Sequence, residues 1–272
     1  MLIALFIFFP TTFLSAQSKL KWNNFLVQKY KKEHDTVSIL NAKSKKLIYK
    51  EDFHLINKMG FYRAGKNNLL AIEYYSGGES GCCMDLDIYF FKNKIQKLSF
   101  ENLGYADFPP MIVDLDADGY EEIRTTSEKF YGYSFNQKEF QCPLTPGSYE
   151  GFSKFQFPVY HIITKNSKSV YSSKEITFEP KYRKFLKPYL VSFQKFISKQ
   201  KQFISHDTNL AATLQYYHYQ LKLQGKEKTL KEFKSYPIKL EVNCFDEKME
   251  PNNKTLSLDL HKFLEDHSND FE

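Results

Sequence analysis

The sequence MDLDIYFF, at residues 84–91, sets the fold class of this chain. Apolar residues alternate in it with acidic or aromatic ones, and side chains on a β-strand point to opposite faces with the same period of two. A short polar turn follows, and residues 95–100 then carry a second strand pattern. The two runs therefore predict an antiparallel hairpin.

Further strand patterns lie on both sides of this hairpin. Two short runs around the polar cluster at residues 41–46 predict a hairpin within residues 34–50. Other strands are expected at residues 68–75, 111–113, 123–126, 130–135, 158–164 and 170–171. The chain also has 26 Phe and 19 Tyr, and aromatic residues favour strands. These patterns predict a mainly β domain over residues 17–178.

The spacing of apolar residues changes after residue 178. Between residues 182 and 197 they recur every three or four positions, which predicts an amphipathic helix with Pro188 in its first turn or at a kink. Three further helices are expected, one capped by Asp207 and ended by Gly225, a short one with Thr229 and Glu232 as a capping box, and one over residues 255–266. Residues 179–272 are therefore predicted to be a C-terminal α-helical region.

Residues 1–16 have the pattern of a cleavable signal peptide. They are rich in Leu, Ile and Phe, and the small residue Ala16 suits the position before a cleavage site. The run is too short to span a bilayer, which takes about 20 apolar residues. Because no Lys or Arg precedes the apolar core, a buried N-terminal helix is the alternative. We expect a secreted or periplasmic protein with no transmembrane span.

The four cysteines, Cys82, Cys83, Cys142 and Cys244, are disulfide candidates. Exported proteins meet oxidising conditions, and an even number of cysteines is typical of disulfide pairing. Free buried thiols are the alternative. Neighbours on a strand point to opposite faces, so Cys82 and Cys83 can have different partners. We expect a bridge from this pair to Cys142, which leaves Cys244 to tie the helical region to the sheet.

The motif with the clearest chemistry is the acidic loop DLDADGYEE at residues 114–122. Side-chain oxygens at its first, third and fifth positions converge when the chain curls, and Gly119 permits the sharp turn. Thr125 stands where an EF-hand has its bidentate Glu, and the flanking residues have strand patterns rather than helix patterns. We therefore expect a strand–loop–strand site for a structural Ca²⁺ and not an EF-hand. A solvated acidic turn is the alternative. The candidate ligands are the carboxylates of Asp114, Asp116, Asp118 and Glu122 and the backbone carbonyl of Tyr120.

This loop and its flanking strands resemble the D-x-D-x-D-G loop of FG-GAP/VCBS-type β-propeller blades in integrins and many secreted bacterial proteins. The stretch SGGESGCC at residues 76–83 resembles a glycine–cysteine signature of uncharacterised bacterial exported proteins that carry one such loop. The resemblance covers roughly residues 34–170. A full propeller has several acidic loops and this chain has one. The resemblance therefore implies a blade-like antiparallel sheet or small sandwich, an incomplete propeller.

Common enzyme motifs are absent from the sequence, which has no G-x-S-x-G, H-E-x-x-H, P-loop or dinucleotide fingerprint. We expect a non-catalytic extracytoplasmic binding module, stabilised by calcium and disulfides, that presents loops to a protein or glycan. One alternative is a cell-envelope hydrolase that uses acidic residues near the glycine-rich turn, with Glu73 and Asp85 as its carboxylate pair.

Basic residues are concentrated in one segment of the chain. Residues 181–234 carry twelve Lys and Arg but only three acidic residues, whereas the whole chain has a net charge of +6. The solvated side of amphipathic helices explains such a segment. A further alternative is an envelope-associated protein that this region holds to anionic surfaces. No specific nucleic acid binding is expected.

Overall fold

The described residues form two compact units, whose bounds differ from those of the two regions predicted from the sequence pattern. The computed structural model describes residues 18–31, 33–76, 84–100, 112–126, 130, 155–166, 170–204, 208–245 and 251–271. Of these, the first unit takes the residues within Met1–Phe108 and Thr164–Ser172, and the second takes those within Pro109–Ile163 and Ser173–Glu272. The fold is mainly β with helices toward the C-terminal end, as the sequence predicts.

Two four-stranded antiparallel sheets make up most of the first unit. Each sheet is built from consecutive strands in chain order. The strands of one sheet are β1 (Ser18–Trp22), β2 (Phe25–Lys31), β3 (Asp35–Asn41) and β4 (Leu47–Phe53). Those of the other are β5 (Leu55–Ala64), β6 (Asn67–Tyr75), β7 (Met84–Phe91) and β8 (Ile95–Phe100). The hairpins predicted at residues 34–50 and 84–100 are thereby confirmed.

Apolar side chains from both sheets meet in one core of the first unit. Val27 and Ile39 of the first sheet and Leu70 and Ile72 of the second have no exposed surface. Burying each such side chain contributes roughly 1.5–3 kcal/mol relative to leaving it exposed. The two sheets thus pack as a small sandwich of blade-like sheets. Within the described residues none of the sheets closes on itself.

A third antiparallel sheet flanks the acidic loop. Its strands are β9 (Ile112–Val113), β10 (Glu122–Thr126), β11 (Pro158–Lys165) and β12 (Tyr171–Glu175), in the order β12-β11-β10-β9. Of the strand predicted at residues 130–135, only Phe130 is described, and it lies in a turn. The strands on both sides of the loop agree with the predicted strand–loop–strand arrangement.

The C-terminal region of the second unit also contains a three-stranded sheet that the sequence analysis missed. It consists of β13 (Gln202–Ile204), β14 (Lys239–Phe245) and β15 (Pro251–Asp259). Strands β13 and β14 are parallel, and β14 and β15 are antiparallel. The helix predicted over residues 255–266 is therefore wrong in its first part, because Leu256 and Leu258 follow the period-two pattern of a strand opposite β14.

Four α-helices lie in the described part of the second unit. They are α1 (Arg183–Ile197), α2 (Thr208–Gln224), α3 (Lys226–Lys234) and α4 (Leu260–Asp266), and a short 3₁₀ helix follows at Ser268–Phe271. Helix α1 buries Leu186, Phe193 and Ile197, as predicted, but Pro188 lies beyond its first turn. Gly225 separates α2 from α3 with φ 85°. The predicted capping box is wrong, since the Thr229 hydroxyl donates to Gly225 O from within α3.

Much of the sequence behind the export and disulfide predictions lies outside the described residues. This holds for residues 1–16, the glycine-rich stretch, Cys82, Cys83 and Cys142. The backbone of Cys244 lies on β14. Both predictions therefore stay predictions. In the part of the chain that the structure describes, no helix combines the length and the apolar character needed to cross a membrane.

Candidate metal centre and a buried charged network

The acidic loop is a tight reversal between two paired strands. Glu122, at the start of β10, lies opposite Val113, at the end of β9, so the residues between them must turn back within a short distance. Gly119 has φ 86°, a left-handed conformation that strains any residue with a Cβ. The predicted role of Gly119 in the turn is thereby confirmed.

Three of the predicted ligands come together in this loop. One carboxylate oxygen each from Asp114, Asp116 and Glu122 lies within 4.8 Å of the other two. Asp118 is outside this group of three. One of its carboxylate oxygens accepts the Tyr120 backbone N–H at 2.8 Å, and the other lies 3.5 Å from Lys181 Nζ.

Glu122 is the fixed member of the group. It is 1% exposed, and both of its oxygens accept hydrogen bonds. Leu115 N–H donates to Oε2 at 2.8 Å, and the Tyr182 hydroxyl donates to Oε1 at 2.7 Å. Burial, together with this bond to Glu122, raises the pKa of Tyr182 above its usual value, so the phenol keeps its proton. The sequence assigned Tyr182 only to the apolar stripe of α1.

Asp114 and Asp116 have contrasting environments. Asp114 Oδ2 accepts the Gly119 N–H at 3.1 Å, whereas its Oδ1 is buried and has no hydrogen-bond partner. Asp116 Oδ2 lies 2.6 Å from Lys181 Nζ. This hydrogen bond lowers the pKa of Asp116 and raises that of Lys181. Lys181 thus pairs with Asp116, one of the three clustered carboxylates, and forms no ion pair with Asp114 or Glu122.

The structure separates the other carboxylates singled out in the sequence. Glu73 lies opposite Leu86. Asp85, the residue before Leu86 on β7, lies opposite Tyr74, the residue after Glu73 on β6. Directly opposed residues share a face, and successive residues alternate, so Glu73 and Asp85 point to opposite faces of the sheet. Glu73 instead accepts a hydrogen bond from Asn57. The predicted pairing of Glu73 with Asp85 is therefore wrong.

A different group of charged and tyrosine side chains links the two sheets of the first unit, with Asp87 and Tyr89 as its buried members. We call Tyr49, Glu51, Asp87, Tyr89 and Lys97 the inter-sheet network. Lys97 Nζ bridges its two carboxylates, at 2.7 Å from Glu51 Oε1 and 2.9 Å from Asp87 Oδ2. The hydroxyls of Tyr49 and Tyr89 each donate to Glu51 Oε2 at 2.6 Å. The network therefore ties β4 of one sheet to β7 and β8 of the other.

Burial and hydrogen bonds shift the pKa values of Glu51, Tyr49 and Lys97 in this network. Burial alone would raise the pKa of Glu51, but hydrogen bonds from Lys97, Tyr49 and Tyr89 outweigh it, and the pKa is lowered. Burial and the bond to Glu51 raise the pKa of Tyr49 to about 12. The hydrogen bonds to both carboxylates outweigh burial at Lys97 and raise its pKa. At neutral pH Glu51 and Lys97 are thus charged, and the phenols of Tyr49 and Tyr89 keep their protons.

The sequence alone does not reveal this network, because its members come from separate strands. Lys97 is far from Glu51 along the chain and meets it only through the packing of two sheets. One local signal exists, since Asp87 and Tyr89 share with Asp85 the same face of β7. Asp87 has no exposed surface, and a buried charge requires a partner.

Comparison of the chain with protein-family models, with curated proteins and with solved structures gives no match. The resemblance of the acidic loop to FG-GAP/VCBS-type blades therefore stays a prediction.

Proposed function

We propose that this chain is a non-catalytic extracytoplasmic binding module whose acidic loop is held by Ca²⁺ and whose loops contact a protein or a glycan. The observation that carries the metal part is the cluster of Asp114, Asp116 and Glu122 oxygens within 4.8 Å of one another. Carboxylates this close repel each other unless a cation lies near them. Lys181 supplies one positive charge for three negative ones.

The donor set fits a hard cation. All the candidate ligands are oxygens, which Ca²⁺ prefers, and it takes six to eight of them. Asp114 Oδ1 is buried without a hydrogen-bond partner and needs a positive charge or a donor. Asp114, Asp116 and Glu122 would hold the ion, with Asp118 and the Tyr120 carbonyl as further predicted ligands. The ion would supply structural support to the loop between β9 and β10.

The non-catalytic part of the proposal rests on how the acidic side chains of the acidic loop and of the inter-sheet network are held. Glu122 is fixed by two hydrogen bonds, and Glu51 accepts three, so these carboxylates are committed to structural contacts. The separation of Glu73 from Asp85 removes the carboxylate pair on which the hydrolase alternative depended. Disulfides and export through residues 1–16 complete the proposal as predictions from the sequence.

Calorimetric titration with Ca²⁺, combined with thermal unfolding in EDTA and in millimolar Ca²⁺, tests the metal part. We expect Ca²⁺ to raise the melting temperature, because a ligand that binds only the folded state stabilises it by about 2.7 kcal/mol at a hundredfold excess over Kd. Asp116→Ala should abolish the increase. Glu121→Gln removes a charge from the same loop but outside the group of three, and it should leave the increase in place. Identical melting curves with and without Ca²⁺ would reject the site.

A further inference from the structure

We propose that the exposed face of helix α1 docks on an anionic phospholipid bilayer. The basic face consists of Arg183, Lys184, Lys187, Val191 and Lys195, all of which are exposed. The helix sequence RKFLKPYLVSFQKFI contains no Asp or Glu. This inference does not depend on the proposed calcium site.

The basic face is on the side of α1 opposite the core. Lys184, Lys187, Val191 and Lys195 follow one another at intervals of three and four residues, which places them on one face of a helix. Phe193, on the other side, is fully buried, and its ring centroid lies 5.1 Å from that of Tyr216 in α2. Packing against α2 therefore turns the cations outward.

The charges on this face have little internal compensation. Lys187 and Lys195 form no ion pair with any residue that the structure describes. Glu179, which precedes the helix, is paired with Lys174 at 2.7 Å. Glu232 of α3 lies beside Gln194 but accepts hydrogen bonds from two buried tyrosines. A surface with uncompensated positive charge attracts anionic partners.

The shape and composition of the face favour a bilayer over a soluble polyanion. The 15 residues of α1 span about 22 Å, at about 1.5 Å per residue, which is long enough for one face to lie along a headgroup layer. Val191 is 37% exposed in the middle of the cations, where an apolar side chain suits the boundary between headgroups and acyl chains. Lysines around it can keep their ammonium groups among the phosphates.

Binding to vesicles tests this proposal. The full chain is mixed, in EDTA, with vesicles of phosphatidylcholine alone or with about one third phosphatidylglycerol, and bound protein is measured by sedimentation. EDTA removes Ca²⁺, so the result does not depend on the acidic loop. We expect binding to the anionic vesicles that weakens between low and high salt, because salt screens exposed charges.

The double variant Lys187→Gln/Lys195→Gln should bind about 25-fold more weakly, since each cation near an anionic surface contributes about a fivefold increase in affinity. Lys19→Gln/Lys21→Gln removes the same charge from exposed positions of β1 and should stay within about twofold of the unmodified chain. Both variants retain the apolar residues 1–16, so any binding of that segment to vesicles is the same in the two. The difference between the variants therefore reports the contribution of the lysines of α1. Equal binding to neutral and anionic vesicles would overturn the proposal, as would equal losses in the two variants. Tighter binding of heparin than of anionic vesicles would also overturn it, because a soluble polyanion would then be the better partner.

Discussion

The Lys97 ammonium lies 2.9 Å from the carboxylate of Asp87, a side chain with no exposure to solvent. Lys97 itself retains 36% of its side-chain exposure, so it reaches from the surface of β8 into the space between two sheets. Removing one partner of such a pair costs more than the pair contributes, because the remaining charge stays buried without compensation.

Lys97→Met should lower the free energy of unfolding by about 3 kcal/mol. This is the lower end of the range for a buried charge that loses its partner, since Lys97 is partly exposed. Urea denaturation measures the change. Lys94→Met removes a lysine from the exposed turn before β8 and should change stability by less than about 0.5 kcal/mol. Equal effects of the two substitutions would show that the bridge has no role in stability.

Glu51→Gln should make the free energy of unfolding depend less on pH in the acidic range. Hydrogen bonds from Lys97, Tyr49 and Tyr89 hold the folded-state pKa of Glu51 below its ordinary value of 4.5. The stability that Glu51 contributes is therefore present above about pH 4.5 and is lost as the pH falls through the folded pKa. Urea midpoints between pH 3 and pH 7 should vary less in the variant than in the unmodified chain. The idea fails if both proteins lose stability in parallel on acidification.

Glu232→Ala should destabilise the second unit by about 3 kcal/mol. Its carboxylate accepts from the hydroxyls of Tyr216 at 2.6 Å and Tyr236 at 2.9 Å, and its loss leaves both without this acceptor. Thermal or urea unfolding measures the effect. Glu227→Ala, at an exposed position of the same helix, should cost less than about 1 kcal/mol, the range of a charge in the first turn. A larger loss from Glu227→Ala would contradict this assignment.

Lys181→Met should tighten Ca²⁺ binding by up to about fivefold. The ammonium of Lys181 lies 2.6 Å from Asp116 Oδ2 and therefore competes with a cation for that oxygen. Because Lys181 is about half exposed, the ion pair contributes at most about 1 kcal/mol. Titration calorimetry compares this variant with the control Lys184→Met, which removes a nearby lysine that forms no ion pair with the described residues of the loop. Weaker Ca²⁺ binding after Lys181→Met would show that the lysine supports the site and does not compete with the ion.

Local periodicity predicted the elements that are long and half-buried. Strands β6, β7 and β8 and helix α1 lie close to their predicted positions, because one face of each packs on a core and imposes the period of the element. The hairpin of β1 and β2 was missed, although Leu20 and Trp22 alternate with lysines before the turn at Asn23. Asn23 has φ 50°, a value that Asn tolerates better than most residues, so the signal was present.

The same contrast holds for the sites. Asp114, Asp116 and Glu122 are close in sequence, and a turn of the chain is enough to bring them together. The bridge from Glu51 through Lys97 to Asp87 needs the packing of two sheets, and no local spacing encodes that. Sequence reasoning placed Asp85 in a carboxylate pair, whereas the acid of β7 in the Lys97 bridge is Asp87, two positions further along the same face.

The parallel pairing of β13 with β14 also bears on the order in which the chain folds. Within each of the two four-stranded sheets of the first unit, consecutive strands pair, so a hairpin can form as soon as its two strands exist. Strand β13 is at the edge of its sheet, and its neighbour β14 follows only after α2 and α3. During synthesis β13 therefore has no sheet partner until the ribosome has completed Lys239–Phe245. The last of the three strands to be made, β15, can then join β14 at once through a local antiparallel connection.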